Sequence, residues 1–149
     1  MQITNYTDYA LRVLIYIAKS PTGQTTITEI ADFFNISRNH LVKVVHQLGH
    51  KGFVKTTRGK GGGLALQRPP ETINIGDVVR NMENHFIWVE CIDPTQQHCR
   101  LLPNCGLKYL FARAGNAYLE VLDSATLADV LLGRTTIELN PKIPFLNLK

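Results

Sequence analysis

The stretch that most restricts what this chain can fold into is "TTITEIADFFNISRNHLVKVVHQLGHKG", beginning at Thr25. It reads as two short amphipathic helices joined by a turn too tight for anything else. Thr26 followed three residues later by Glu29 is a capping box, the hydroxyl accepting from the backbone while the carboxylate reaches back to the cap. Ile27, Ile30, Ala31 and Phe34 then share one face. Asn35 tolerates a left-handed backbone, and Ser37 stands where the next helix needs its cap. In that helix Leu41, Val44, Val45 and Leu48 form the inner stripe, and Gly52 is a natural stop. Paired helices of this kind, the second apolar inside and basic at its exposed start, read as a helix-turn-helix.

The outward side chains near the start of the second helix are Arg38, Asn39, His40 and Lys43, which with Ser37 are the candidate DNA contacts. Arg and Asn can grip guanine and adenine edges with two hydrogen bonds, and Lys suits phosphate. Polar residues also belong at any solvated helix start, so the helix alone does not decide. The next segment does more. "FVKTTRGKGGGLALQRP" alternates as strand, glycine-rich turn and strand, with Arg58, Gly59, Lys60 and Gly61 in the turn. A basic hairpin directly after a reading helix is a wing, which contacts phosphates or enters a minor groove. A nucleotide-cradling loop is disfavoured because the G-x-x-x-x-G-K-[ST] pattern is missing. Charge agrees: residues 1–68 carry nine Lys and Arg against three Asp and Glu, whereas residues 69–149 carry seven against nine. A basic first half joined to a mildly acidic second half suits a polyanion-binding module attached to something else.

Ahead of this unit, Tyr6, Ala10, Leu11, Val13, Leu14, Ile17 and Ala18 fall at a helical period before Pro21 and Gly23 break it. The start lacks the basic and apolar blocks of a signal peptide, and no apolar run approaches the ~20 residues of a membrane span. The expectation is a cytoplasmic protein with no membrane partner. With 44% hydrophobic residues the chain can bury a core without disulfide staples.

All three cysteines, Cys91, Cys99 and Cys105, fall in "CIDPTQQHCRLLPNC". In a reducing compartment such a group more often binds metal or senses redox change than forms bridges. Without a C-x-x-C, a zinc ribbon or thioredoxin-type motif is disfavoured. Wide spacing lets three thiolates wrap a larger object such as an iron–sulfur cluster, and Pro94 and Pro103 stiffen the loop. A zinc site using His98 or Asp93 and a thiol-only redox switch remain open. A cysteine enzyme does not fit, because nothing evidently orients His98 as a base beside Cys99. "INIGDVVRNME" reads as a helix before the cysteines. "NCGLKYLFARAGNAYLEVLDSATLADVLL" reads as one long helical run after them, with Cys105 at its start. Leu107, Leu110, Phe111, Ala114, Tyr118, Val121 and Leu122 make its apolar stripe, expected to pack against a second copy.

Taken in order, "NYTDYALRVLIYIA", "ISRNHLVKVVHQL", "VKTTRGKGGGLAL", "INIGDVVR" and "TLADVL", with three cysteines between, closely resemble the Rrf-type winged-helix iron–sulfur regulators of bacteria. The resemblance covers residues 1 to about 132 and is greatest to the nitric-oxide-sensing repressors. It implies a homodimer on a double-stranded DNA operator, with one cluster per subunit, [2Fe–2S] or [4Fe–4S], on Cys91, Cys99 and Cys105. In related sensors an aspartate of the partner subunit completes the ligation, and Asp8 in "YTDYALR" stands at the matching place. An iron-, cluster-status- or thiol-redox-responsive regulator is the alternative within the same family. The expected fold is mainly α with a small β-hairpin wing. Its parts are a winged helix-turn-helix DNA-binding domain (1–83), a cluster loop (84–106), a long dimerisation helix region (107–132) and an irregular tail (133–149).

Overall fold

The computed structural model describes residues 3–59, 61–83, 86, 89–93, 95, 98–102 and 104–134. Lys60, Pro94, Pro103 and all but the first two residues of the expected tail lie outside them.

Six helices and one hairpin make up the described chain. They are α1 (Asn5–Lys19), α2 (Ile27–Phe34), α3 (Arg38–His50), β1 (Val54–Thr57), β2 (Gly63–Leu66), α4 (Ile75–Met82), α5 (Gly106–Asp123) and α6 (Leu127–Leu131). Short 3-10 turns lie at Pro70–Thr72 and Glu90–Ile92. The capping box on α2 forms as expected: the Glu29 amide donates to the Thr26 hydroxyl at 3.2 Å, and Thr26 N–H donates to the Glu29 carboxylate at 2.7 Å. The hydroxyl of Thr25 adds a second bond to that carboxylate at 2.6 Å. These bonds, that from Thr25 foremost, hold the Glu29 carboxyl below its ordinary range. Asn35 ends α2 in the left-handed region at φ 53°. Ser37 takes the cap position of α3, but its hydroxyl makes no capping bond. Its carbonyl does the work instead, accepting from His40 and Leu41 N–H at 3.0 and 3.2 Å.

β1 and β2 pair antiparallel from Val54↔Leu66 to Thr57↔Gly63. A third, one-residue edge comes from Thr25, which exchanges both backbone bonds with Leu64 at 3.0 and 2.7 Å. The wing is thereby anchored to the start of α2. Below it lies the core. Among the described residues every buried apolar side chain falls between Ala10 and Met82, apart from Leu127.

The segment expected to run as one helix after the cysteines is two helices. α5 stops at Asp123, and a second capping box, Thr126 with Asp129, starts α6. The interruption is tertiary in origin. Ile75 N–H donates to the Ala125 carbonyl at 3.0 Å and Leu127 N–H to the Ile73 carbonyl at 2.8 Å, so backbone that could continue the helix is bound to α4's start instead. Leu127 then re-enters the winged-helix core, fully buried. The end of α5 is fastened as well. The Arg80 guanidinium grips both Asp123 carboxylate oxygens, one arm at 2.6 Å. Asn74 donates to the Asp123 carbonyl at 2.7 Å. Gly76 makes room for this clamp, since a Cβ there would lie 1.9 Å from an Asp123 carboxylate oxygen.

Candidate functional site

The outer face of α3 carries Ser37, Arg38, Asn39, His40 and Lys43, all exposed, above the buried stripe of Leu41, Val44, Val45 and Leu48. Helical phase spreads these residues across the exposed side, with Arg38 and His40 at its opposite edges. Val42, 45% exposed, and His46 share that side and were not foreseen. Val42 sits among apolar neighbours and reads as core in the sequence. Only the helix period turns it outward, where a branched side chain can meet a thymine methyl.

At the wing tip Arg58, Gly59 and Gly61 are exposed, and Lys60 lies outside the described residues. Gly59 at φ 99° and Gly61 at φ 84° take backbone conformations that side-chain-bearing residues rarely adopt, so the tight basic tip needs glycine there.

α1 braces this surface at both helices of the pair. The Tyr6 hydroxyl donates to the Lys43 carbonyl of α3 at 3.0 Å. Arg12, which pairs with Asp8 at 2.8 Å, also lies over the Phe34 ring of α2, 5.7 Å from its centroid. The cap of α1 is tied in turn to the end of α4, where Thr4 N–H and hydroxyl donate to one Glu83 oxygen at 2.8 and 3.0 Å. That glutamate directly precedes the cysteine-bearing segment.

Cys91 lies in the Glu90–Ile92 turn, and Cys105 occupies the cap position of α5 with no side-chain capping bond. With Cys99 they are free thiols, each half-buried. Asp93, considered above as a zinc ligand, is buried, and its carboxylate oxygen accepts from the Thr95 N–H and hydroxyl at 2.8 and 2.6 Å. His98 is exposed. Among the described residues no three His, Cys, Asp or Glu side chains converge as a metal cage. Asp8, on the first turn of α1, is engaged by Arg12. The donors nonetheless suit an iron–sulfur cluster in kind and number: three free, half-buried thiols, soft ligands for iron. One chain thus offers three soft donor side chains close together in sequence.

No residue of α5 is buried. The stripe expected there divides in two. Phe111, Tyr118 and Leu122 turn toward their own domain and are half-buried. Leu107, Leu110, Ala114, Ala117 and Val121 face outward, with Leu107, Leu110 and Val121 57–67% exposed. Their alternating steps of three and four are those of a two-helix seam. No helix among the described residues is long and apolar enough to cross a membrane.

The sequence matches the Rrf2 family, described as iron-dependent transcriptional regulator, over residues 3–132. The chain belongs to the Rrf2 family. It is 49% identical to the HTH-type transcriptional regulator NsrR of Bacillus licheniformis over 138 residues, 92% of this chain and 96% of that one. Against NsrR of Bacillus subtilis the identity is also 49%, covering 92% and 94%. Among solved structures, CymR of B. subtilis, described as a global cysteine regulator, superposes with a TM-score of 0.74 at 31% identity, covering 89% of this chain and 98% of that one. IscR of T. potens gives 0.73 at 24% identity, covering 94% and 93%, which speaks to the fold. The expected architecture, mainly helical with a two-stranded wing, therefore stands, and this Rrf2 chain is a DNA-binding transcriptional regulator rather than an enzyme.

Proposed function

We propose that this chain is a homodimeric, cytoplasmic repressor whose grip on an operator is controlled by an iron–sulfur cluster that senses nitric oxide. The observation that carries the reading is the joining, in one Rrf2 chain, of a basic winged reader to three reduced thiols placed just before an exposed seam helix. Similarity to regulators named NsrR, 49% identical over 92% of this chain, supports it. Cys91, Cys99 and Cys105 would hold the cluster, [2Fe–2S] or [4Fe–4S], and Asp8 from a second copy of the chain would fill the remaining position. When bound, such a cluster supplies iron that reacts with nitric oxide.

The chain's own residues supply the rest. Leu107, Leu110, Ala114, Ala117 and Val121 join two copies, so that the two α3 helices can enter major grooves about one helical turn apart, roughly 34–36 Å. Asp8 shares the first turns of α1 with Tyr6, whose hydroxyl holds the α3 backbone. A change of partner at Asp8 therefore acts on the helix that braces the reader. A coupling of about 1–3 kcal/mol between the two sites suffices for a 5- to 150-fold change in affinity.

The decisive experiment compares operator binding by protein prepared without oxygen, before and after nitric oxide. At least about a tenfold fall is expected, and unchanged affinity would overturn the sensing claim. An iron and sulfide count with a visible spectrum separates this from the thiol-redox alternative. Colourless, iron-free protein that still binds tightly would remove the cluster.

A further inference from the structure

We propose that the cleft between the first two turns of α1 and the middle of α3 seats a backbone phosphate of the duplex, so that α1 is itself part of the DNA-contacting surface. The proposal rests on α3 facing DNA and extends that surface beyond the reading helix and the wing.

The cleft has a volume of about 220 Å³ and is lined by Asn5, Tyr6, Tyr9, His40, Lys43 and Val44. Val44 is buried and backs the floor. The Tyr6 hydroxyl, bonded to the Lys43 carbonyl at 3.0 Å, fixes the two walls to each other. Lys43 and His40 from α3 and the Asn5 amide and Tyr9 hydroxyl from α1 remain around the opening, four groups able to donate hydrogen bonds. Among the described residues no carboxylate lines it, and the nearest acid in sequence, Asp8, is paired with Arg12. Among the described residues, none of these four side chains has an ion pair or hydrogen bond of its own. The chemistry is therefore that of a single anion held by donors from two elements.

Position identifies the anion. A helix in a major groove about 12 Å wide points its outer residues at base edges and its flanks at the groove walls, which are rows of phosphates. Arg38 and Asn39 begin the reading face. His40 and Lys43 lie on the side of that face nearer α1. α1 stands beyond that flank, against the sugar–phosphate backbone. Asn5 and Tyr9 bracket Asp8 in sequence, so the residue offered above as a cluster ligand and the phosphate donors occupy the same stretch of helix.

The test uses a duplex selected by the protein from a random pool, with neutral methylphosphonates placed one at a time along each strand, and an unrelated duplex alongside. For the unaltered chain, one phosphate per half-site beside the reading helix should cost about 3- to 10-fold in affinity when neutralised. In the double variant Asn5→Ala/Tyr9→Phe that position should lose its sensitivity, and binding to both duplexes should weaken by about the same factor. Tyr9→Phe alone keeps the ring in place and should show half or more of the effect. Lys43→Gln should flatten the slope of log affinity against log salt by about 0.9. An identical methylphosphonate pattern in variant and unaltered protein, while Arg58→Ala still weakens binding, would overturn the cleft and leave the DNA reading intact. Competition by inorganic phosphate at matched ionic strength, beyond that of chloride, would assign the cleft to a free anion and likewise overturn it.

Discussion

The winged unit and the segment behind it are built to different degrees of completion. Residues 10–82 hold all the buried apolar side chains among the described residues except Leu127, and the wing, capping boxes and turns close on one another within a single chain. Among the described residues, the cysteine segment and α5 hold none of that core, three half-buried thiols with no metal cage, and a seam of exposed Leu and Val. A single chain therefore suffices to build the reader. In the proposed dimer, the cysteine segment and α5 are half of a structure, and a second copy of the chain supplies the other half.

The sharpest way to break this contrast is to strike each region at an apolar side chain. Leu48 is fully buried in the reader. Leu48→Ala should cost about 2–5 kcal/mol, read as a fall in urea midpoint, because a cavity opens in a closed core. Leu110, 57% exposed on α5, should behave otherwise. Leu110→Glu should change single-chain stability by no more than about 0.5 kcal/mol. It should nonetheless convert dimer to monomer in sedimentation, because two like charges would meet in an apolar seam. A destabilised yet still dimeric Leu110→Glu protein would place the interface elsewhere.

A smaller effect separates the reader's own contacts. Arg58, exposed at the wing tip, has no role in the core. Arg58→Ala should weaken binding to most sequences alike and reduce the salt slope by about 1, with the melting temperature unmoved. Weakening confined to one operator sequence would make Arg58 a base reader instead.

The same contrast governs what could be read from the sequence. The reader was legible because its signals are local: an apolar period, the Thr26–Glu29 box, a left-handed Asn35 and a basic glycine turn all act within a few residues. The larger misreading was non-local. Ser124 and Ala125 continue an apolar period with no Pro or Gly between them. The break there comes from backbone bonds to residues some fifty positions away, although the T-x-x-D of Thr126 and Asp129 was a usable cue. Ser37 occupied its place without supplying its hydroxyl, since the carbonyl already received the first helical N–H groups. The cleft between Tyr9 and Lys43 joins helices far apart in sequence, and no local pattern announces it. The cysteines were legible as a group of soft donors. Among the described residues they do not converge on a metal cage, and no local sequence pattern sets the distances between them.

The smallest expected effect concerns the joint between the two regions. Asp123, at the end of α5, has its carboxyl held below the ordinary range, chiefly by the hydrogen bond from Arg80 of α4. A carboxyl depressed in the folded state favours folding at pH values above its unfolded value of about 3.9, and that contribution disappears as pH falls through the lower, folded value. Both groups are substantially exposed, so solvent screens the pair and the effect on global stability should be slight. Asp123→Asn keeps the shape and one acceptor while removing the charge. Between about pH 5 and pH 2 the urea midpoint of the unaltered protein should fall more than that of the variant. Glu29 and Asp129, held low by their capping boxes, supply the same acid sensitivity in both proteins and cancel in the difference. Amide exchange should locate the residual effect: acid should loosen the last turn of α5 in the unaltered protein while α3 stays protected. Parallel pH curves for the two proteins, with α5 and α3 opening together, would mean that backbone bonds at Ile75 and Leu127 hold the joint and that charge contributes nothing to it.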